Sequence, residues 1–449
     1  MDLLNLIFWL AGTFVVVLSP IILLHELGHF IFAKLAGVRV EEFGLGYPPR
    51  LITFGYGKGL LSIGPTRITL PIGFSPPLGL KEGAAVDATV RRRRDGSCQL
   101  HSARVIIEPG EDDLVYRLDE TGDTARVRGV VTLYERGTRY SFNLLPLGGF
   151  NKMTGEEDPS DPRSLARQPK RWRIAVLGGG IAINIVVAIL LFTLAFVSGE
   201  PRLWWSQITD VASGSPAEMV GLAPGDIVLT ANGQSMASEV PNEALIEFTQ
   251  VHLGQEVRLT VLRDDEELDF NATPRTEWPA DQGPLGVSLQ YTPSHPDIRR
   301  LSFGAAVGEA LGQIGMVINA IVSLPFRAAA GGVEAGEARP ASIVAILEIL
   351  VLSLKISLDW DLWFPVLQQA ALISLALGLT NLLPLPGLDG GRLLFVLVEV
   401  VRGRRVDPER EAAVHFVGIL ILVVLMMGMI VYDFANPLVS WDVLKEWLR

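Results

Sequence analysis

Hydrophobic positions are concentrated in blocks along this chain. Four windows carry no charged residue, namely Leu4–Leu24, Ile174–Val197, Phe364–Leu388 and Ala412–Tyr432, and each is at least 21 residues long. As a helix, each is long enough to cross a hydrocarbon core of about 30 Å. The pattern predicts a polytopic α-helical membrane protein with four transmembrane helices. The first window has no basic leader, carrying Asp2 instead, and is too long for the apolar part of a cleaved signal. It is expected to be retained.

Between the windows the period shortens. "VRVEEFGLGYPPRLITFG" at 38–55 and "TRYSFNLLPLGGFNKM" at 138–153 place β-branched and aromatic residues between Gly and Pro turns, which predicts strands. The polar stretch at about 80–135 is also strand-like, with "VRRRRDG" as a turn, and reads as a β-rich insertion. Residues 206–291 form a compact pattern. "ITDVASGSPAEMVGLAPGDIVLTANGQSM" runs strand, Gly-Ser-Pro turn, short helix, Gly-Asp turn, strand and Asn-Gly hairpin, and two further strands follow around an acidic turn. This series resembles a PDZ domain of the bacterial protease type, with "GPLGVSLQ" as the strand after a permuted ligand loop. Residues 302–358 are apolar but interrupted by Glu309, Glu348 and Lys355, and are expected to form amphipathic helices at the interface.

Residues 1–37 hold the first span with HELGH. Residues 38–173 form a cytoplasmic, membrane-associated β-rich region with the insertion. The second span is 174–198, the PDZ-like domain 200–295, and the membrane-associated helices 302–358. The third span with NLLPLPGLDGG is 364–400, the fourth is 412–433, and a tail occupies 434–449.

Charge adds the topology. Of 449 residues 19% are charged, and the net charge of −11 is unevenly placed. Residues 33–173 hold 22 Lys/Arg against 17 Asp/Glu, while 200–300 hold 6 against 16. Lys34 and Arg39 follow the first span, and Lys170, Arg171 and Arg173 precede the second. Basic residues close to span ends stay cytoplasmic. The first span therefore runs from outside to inside, and the PDZ-like region lies outside a cell (inner) membrane. One cysteine, Cys98, excludes an internal disulfide framework and a Cys-based metal site. The run Arg91–Arg94 reads as a solvated turn, and no nucleic-acid partner is expected.

The chemistry lies at the inner end of the first span. "IILLHELGHF" places His25 and His29 one turn apart on one helix face, able to share a zinc ion, with Glu26 beside them to take a proton from water. A hydrolytic zinc needs a third protein ligand. His101, His252, His295 and His415 lie in the insertion, the outside domain or the last span, and read as surface or packing residues. Asp389 follows 25 uncharged residues in a membrane span. Left to itself it would simply cap the helix that begins at Gly390. Pro384 and Pro386, however, break that span and let the carboxylate turn inward. Spans one and three run in the same direction with both motifs at their inner ends, so the three groups share one depth.

HELGH at 25–29 with "NLLPLPGLDGG" at 381–391 resembles the site-2 protease family of intramembrane zinc metalloproteases. The resemblance is closest to the bacterial regulator-of-sigma-E protease branch, here with a single PDZ domain. "PLGGFNKM" at 146–153 and "GGGIAIN" at 178–184 add to it. It implies His25, His29 and Asp389 as zinc ligands and Glu26 as the general base. It also implies that Asn381 holds substrate backbone or an oxyanion, and that the edge at Gly148 and Gly149 clamps substrate. The expected substrate is a single-span membrane protein, of the anti-sigma-factor or signal-peptide-remnant class, trimmed beforehand outside the membrane. A peptide C-terminus or regulatory segment would occupy the PDZ domain. Two departures stand out: Ile181 replaces a family proline, and Arg392 stands where the bacterial proteases often have histidine. The competing reading is a non-catalytic membrane scaffold that presents the PDZ domain.

Overall fold

The computed structural model describes residues 3–93, 97–107, 109–121, 123–156, 160–201, 204–238, 240–264, 266–279, 282–293, 298–329 and 341–437. Arg94, His295 and most of the tail fall outside them. The chain divides into two units: Met1–Leu191, Ile314–Ile356 and Gln368–Arg449 form one, and Phe192–Gln313 with Ser357–Leu367 the other.

In the first unit, the opening span is a helical rod made of α1 (Leu3–Thr13), a π-helical turn at Phe14–Leu18, and α2 (Ser19–Leu35). The rod widens just before Pro20, which has no N–H to donate. It ends where Gly37 takes a left-handed conformation and Val38 N–H returns to the Ala33 carbonyl.

Two long strands follow, β1 (Val40–Tyr56) and, much later, β8 (Arg139–Met153). Each bends on itself. The first part of β1 pairs with residues 149–153 on one side and 139–142 on the other, and residues 50–56 pair with 139–143. Four short runs thus form a narrow sheet in which 149–153 is an edge. Glu42 pins the bend. It is buried and accepts bonds from Arg50 Nε (2.9 Å) and Ser141 Oγ (2.7 Å). Burial pushes its carboxyl up, but the Arg50 and Ser141 bonds and the nearby Arg139 charge outweigh that and hold it below its ordinary value.

The expected insertion at about 80–135 folds as part of a larger sheet. Its strands β4 (Ala85–Arg92), β5 (Cys98–Val105), β6 (Arg117–Thr121) and β7 (Thr124–Glu135) join β2 (Gly59–Ile63) and β3 (Thr66–Leu70), with a short helix α3 (Glu111–Leu114). The order β2-β3-β5-β4-β7 closes on itself through a β2–β7 pairing, leaving β6 outside the ring. Leu61, Ile63, Ile68, Val86, Val90 and Val127 fill the interior, and alternating Asp87, Arg126 and Arg128 pair on the outer face.

Further helices of this unit are α4 (Lys170–Ser198), α8 (Ile343–Asp359), α9 (Phe364–Leu382), α10 (Asp389–Arg402) and α11 (Pro408–Ala435), some extending into the second unit. Arg173 on α4 is buried against Glu399 on α10 at 2.5 Å, and Lys170 Nζ donates to the Glu399 carbonyl at 3.1 Å.

In the second unit, β10 (Trp204–Val211), β11 (Ile227–Ala231), β13 (Val257–Arg263), β14 (Glu266–Ala272) and β15 (Val287–Pro293) form a sheet in the order β14-β13-β11-β10-β15. The hairpin strand β12 (Gln234–Ser235) follows Asn232 and Gly233, both at positive φ as the sequence signal requires. Helices α5 (Pro216–Val220) and α6 (Pro241–Val251) pack on it. Ser215 caps α5, and Asp226, fully buried, is held by Arg263 at 2.6 and 2.7 Å. A short pair, β9 (Glu200–Pro201) with β16 (Ile298–Arg299), precedes α7 (Phe303–Ala329).

By length and composition, five helices among the described residues can cross a membrane: Asn5–Leu35, Lys170–Ser198, Phe303–Leu324, Phe364–Leu382 and Pro408–Ala435. Four are the expected spans. The fifth, Phe303–Leu324, lies in the segment expected at the interface, because one charge, Glu309, leaves it long and apolar enough.

Candidate metal centre

α2 carries His25 and His29 on one face, and α10 brings Asp389 to them from 360 residues further on. The two Nε2 atoms are 3.2 Å apart, and Asp389 Oδ2 lies 3.2 Å from that of His25 and 3.1 Å from that of His29. The donors thus form a nearly equilateral triangle. Around a tetrahedral zinc with bonds of about 2.0–2.1 Å, neighbouring ligand atoms stand about 3.3 Å apart. The donor set and its spacing fit one such ion. Among the described residues this is the group of His, Cys, Asp and Glu able to hold a metal.

The surroundings fix the ligands. His29 Nδ1–H donates to the Val176 carbonyl on α4 at 2.8 Å, which assigns Nε2 as the bare, ligating nitrogen. Both imidazoles are buried and their planes cross at 83°. α4 reaches them only because it lacks side chains there. A Cβ on Gly180 would stand 2.5 Å from His29 Nε2, and one on Gly28 would stand 2.3 Å from the Gly179 carbonyl oxygen. Ile181 is buried within an unbroken α4. Asn184 is buried further along, its carbonyl accepting from Ser374 Oγ at 2.9 Å, so it holds α9 to α4.

Asp389 is the first residue of α10. α9 ends at Leu382, and the segment with Pro384 and Pro386 turns the chain so that the carboxylate faces α2. The expected break is therefore present, and Asp389 is not an isolated cap.

A cleft of about 490 Å³ opens on the triad, lined also by Glu26, Asn381, Tyr47, Asn151, Glu156 and Arg392. Glu26 and Asn381 therefore reach the same space as the three ligands. Gly148 and Gly149 do not line it. They press β8 onto α2, where a Cβ on Gly149 would meet Glu26 Cβ at 2.8 Å and one on Gly148 would meet Ile22 at 2.4 Å. The strand residues just beyond them, Phe150 and Asn151, face the cleft.

Sequence reasoning passed over Asn151, whose amide nitrogen and oxygen are buried with no hydrogen-bond partner among the described residues. A single Asn in a strand gives no signal of this. Arg392 forms an ion pair with Glu156 at the cleft. His101 is exposed, and His252 bonds to the Phe248 carbonyl at 2.8 Å, so neither joins the triad.

The model of Peptidase family M50 matches residues 13–66 and 126–425, leaving out most of the closed sheet. The chain is 26% identical to the regulator of sigma-W protease RasP of Bacillus subtilis (strain 168), with 92% of this chain and 95% of that protein covered. It is 27% identical to the zinc metalloprotease RasP of Bacillus licheniformis, with 92% and 96% covered.

Proposed function

This chain belongs to peptidase family M50, and from that premise we propose how its residues work and on what substrate. It is an intramembrane zinc metalloprotease, a zinc metalloendopeptidase carried by a multi-pass membrane protein. In our reading His25, His29 and Asp389 hold the zinc and Glu26 is the general base. The observation that carries this is the donor triangle of 3.1–3.2 Å with Glu26 lining the same cleft.

Zinc held by His25, His29 and Asp389 would polarise the scissile carbonyl and lower the pKa of a water enough for it to be deprotonated near neutral pH. The Glu26 carboxylate takes the water's proton and passes it to the departing amine. Asn381 steadies the substrate backbone beside the ligands. A transmembrane helix must first unwind, and its freed N–H and C=O groups then need partners. The edge run 149–153 supplies them by strand addition, and among the described residues its one ladder is to β1. The Asn151 amide offers a further partner. The exposed Leu51, Ile52, Phe54 and Leu144 of the bent sheet suit a re-entrant loop in lipid.

The substrate class is a single-span membrane protein trimmed beforehand outside the membrane, as for an anti-sigma factor; the relative named as a regulator of sigma-W fits this. Residues 200–295 act as an extracytoplasmic PDZ domain. A peptide C-terminus would lie in the cavity of about 290 Å³ between α6 and β15, beside Gly283–Gly286. Four helices span the cell (inner) membrane, and α7 and α8 lie along it. A lone crossing by α7 would put the basic loop at 402–411 on the outer side, against the charge bias.

Glu26→Gln is expected to keep zinc and lower cleavage of a single-span reporter about 10³-fold, and a chelator to abolish wild-type cleavage. A fully active Glu26→Gln protein would remove Glu26 from the mechanism.

A further inference from the structure

We propose that α11 fixes the position of Asp389 through His415 and Gly418, which makes His415 a positioning residue for the metal centre. The inference rests on the reading of His25, His29 and Asp389 given above.

The segment between α9 and α10 has no regular structure, yet it carries a ligand that must meet two imidazoles within a few tenths of an ångström. Gly387, two residues before Asp389, stands at φ +97°. Its N–H points to the fourth span, where His415 Nδ1 accepts it at 3.0 Å. His415 is buried, and its ring leans on Phe395 of α10, with centroids 5.4 Å apart. The imidazole thus touches both the segment before Asp389 and the helix after it.

Three residues further along α11, Gly418 meets Pro386 so closely that an added Cβ would lie 2.3 Å from its Cβ and 2.5 Å from its carbonyl oxygen. Ile419 approaches the α-carbon side of Gly387, where an added Cβ would be 3.0 Å from Ile419 Cγ1. Residues 415, 418 and 419 share one face of a helix. That face holds Pro386 and Gly387 by one hydrogen bond and two close contacts. At membrane depth a backbone N–H outside a helix needs an acceptor from protein, since lipid offers none. His415 supplies it, and the bond gives the segment one seat.

A packing role and a positioning role differ in what they require. Packing needs only the volume of the ring. Positioning needs an acceptor atom at Nδ1, a place that the Asn side chain oxygen also reaches.

The test uses the full-length protein in detergent, with zinc affinity measured by competition against a chromophoric chelator. kcat and KM of the zinc-loaded enzyme are measured on a single-span reporter. His415→Leu and Gly418→Ala are expected to weaken zinc binding about tenfold, the lower end of what loss of an outer-shell contact costs. Both should lower kcat with KM unchanged. His415→Asn should restore most of the affinity. Gly428→Ala, on the same helix with nothing within 4 Å of the added Cβ, should match the wild type.

Wild-type zinc affinity in His415→Leu, or equal losses in His415→Leu and His415→Asn, would overturn the proposal. If His415→Leu does not fold, the contrast between the two glycine variants decides: equal affinities overturn it, a loss confined to Gly418→Ala upholds it. An Asp389→Asn arm separates this from the underlying reading, because zinc retained at full affinity there would remove Asp389 as a ligand altogether.

Discussion

The metal centre and the closed sheet tolerate error very differently. At the centre, imidazoles and a carboxylate sit among apolar helices, and bare backbone sets their positions: Gly180 lies against both histidines and Gly28 against Gly179. In the closed sheet, ordinary side-chain volume does the same job, with Leu61, Ile63 and Ile68 filling the ring. Backbone against backbone has no rotamer to adjust, whereas a packed interior relaxes in part around a lost methyl group. One added carbon should therefore disable the first region, and several removed carbons should only weaken the second.

The largest expected effect on zinc affinity is that of Gly180→Ala. Its Cβ would fall 2.5 Å from His29 Nε2, and zinc affinity is expected to drop about 100-fold, measured by chelator competition. Near-wild-type affinity would show that α4 can retreat and would break the contrast. Leu61→Ala comes next. Hydrogen exchange of β2 to β7 should report a loss of about 2–5 kcal/mol in local stability, while zinc affinity stays unchanged. A loss of zinc in that variant would mean that the two regions are coupled.

The smallest effect lies between them, at Glu42. Its carboxyl is held below the ordinary value despite burial, so it contributes stability above the unfolded value near 4.5 and loses it as pH falls through the lower folded value. Protease protection of residues 40–56 should fade in that acid range in the wild type and vary less with pH in Glu42→Gln. Identical profiles would remove Glu42 as the pin of the bend.

What could be read in the sequence followed the same divide. The long apolar helices were legible because lipid demands long uncharged runs, and His25, Glu26 and His29 because helix spacing makes them neighbours. Asp389 was legible because a lone charge in an apolar run needs a reason. The ring closure was not, since β2 and β7 pair across about 70 residues with no local mark, and β2 and β3 lie outside the stretch that reads as an insertion. Val176 was hidden because its contribution is a carbonyl, which any residue has. His415 read as a packing residue because the acceptor it offers serves a backbone N–H and leaves no trace in side-chain pattern.

The junction of the closed sheet with the rest of its unit has a mechanical consequence. Gly57 N–H bonds to the Thr138 carbonyl at 2.8 Å, and the Thr138 hydroxyl donates to Val40 O at 2.9 Å and receives Lys34 Nζ at 2.5 Å. Lys34 lies five residues beyond His29 on the same helix. Thr138 thus ties this junction to the last turn of α2, beside the ion pairs that Glu135 of β7 makes with Arg39 and Arg163. Pulling on the sheet should therefore rupture the Thr138 junction before it strains the His29–Val176 bond, which is buried and shares no atom with it.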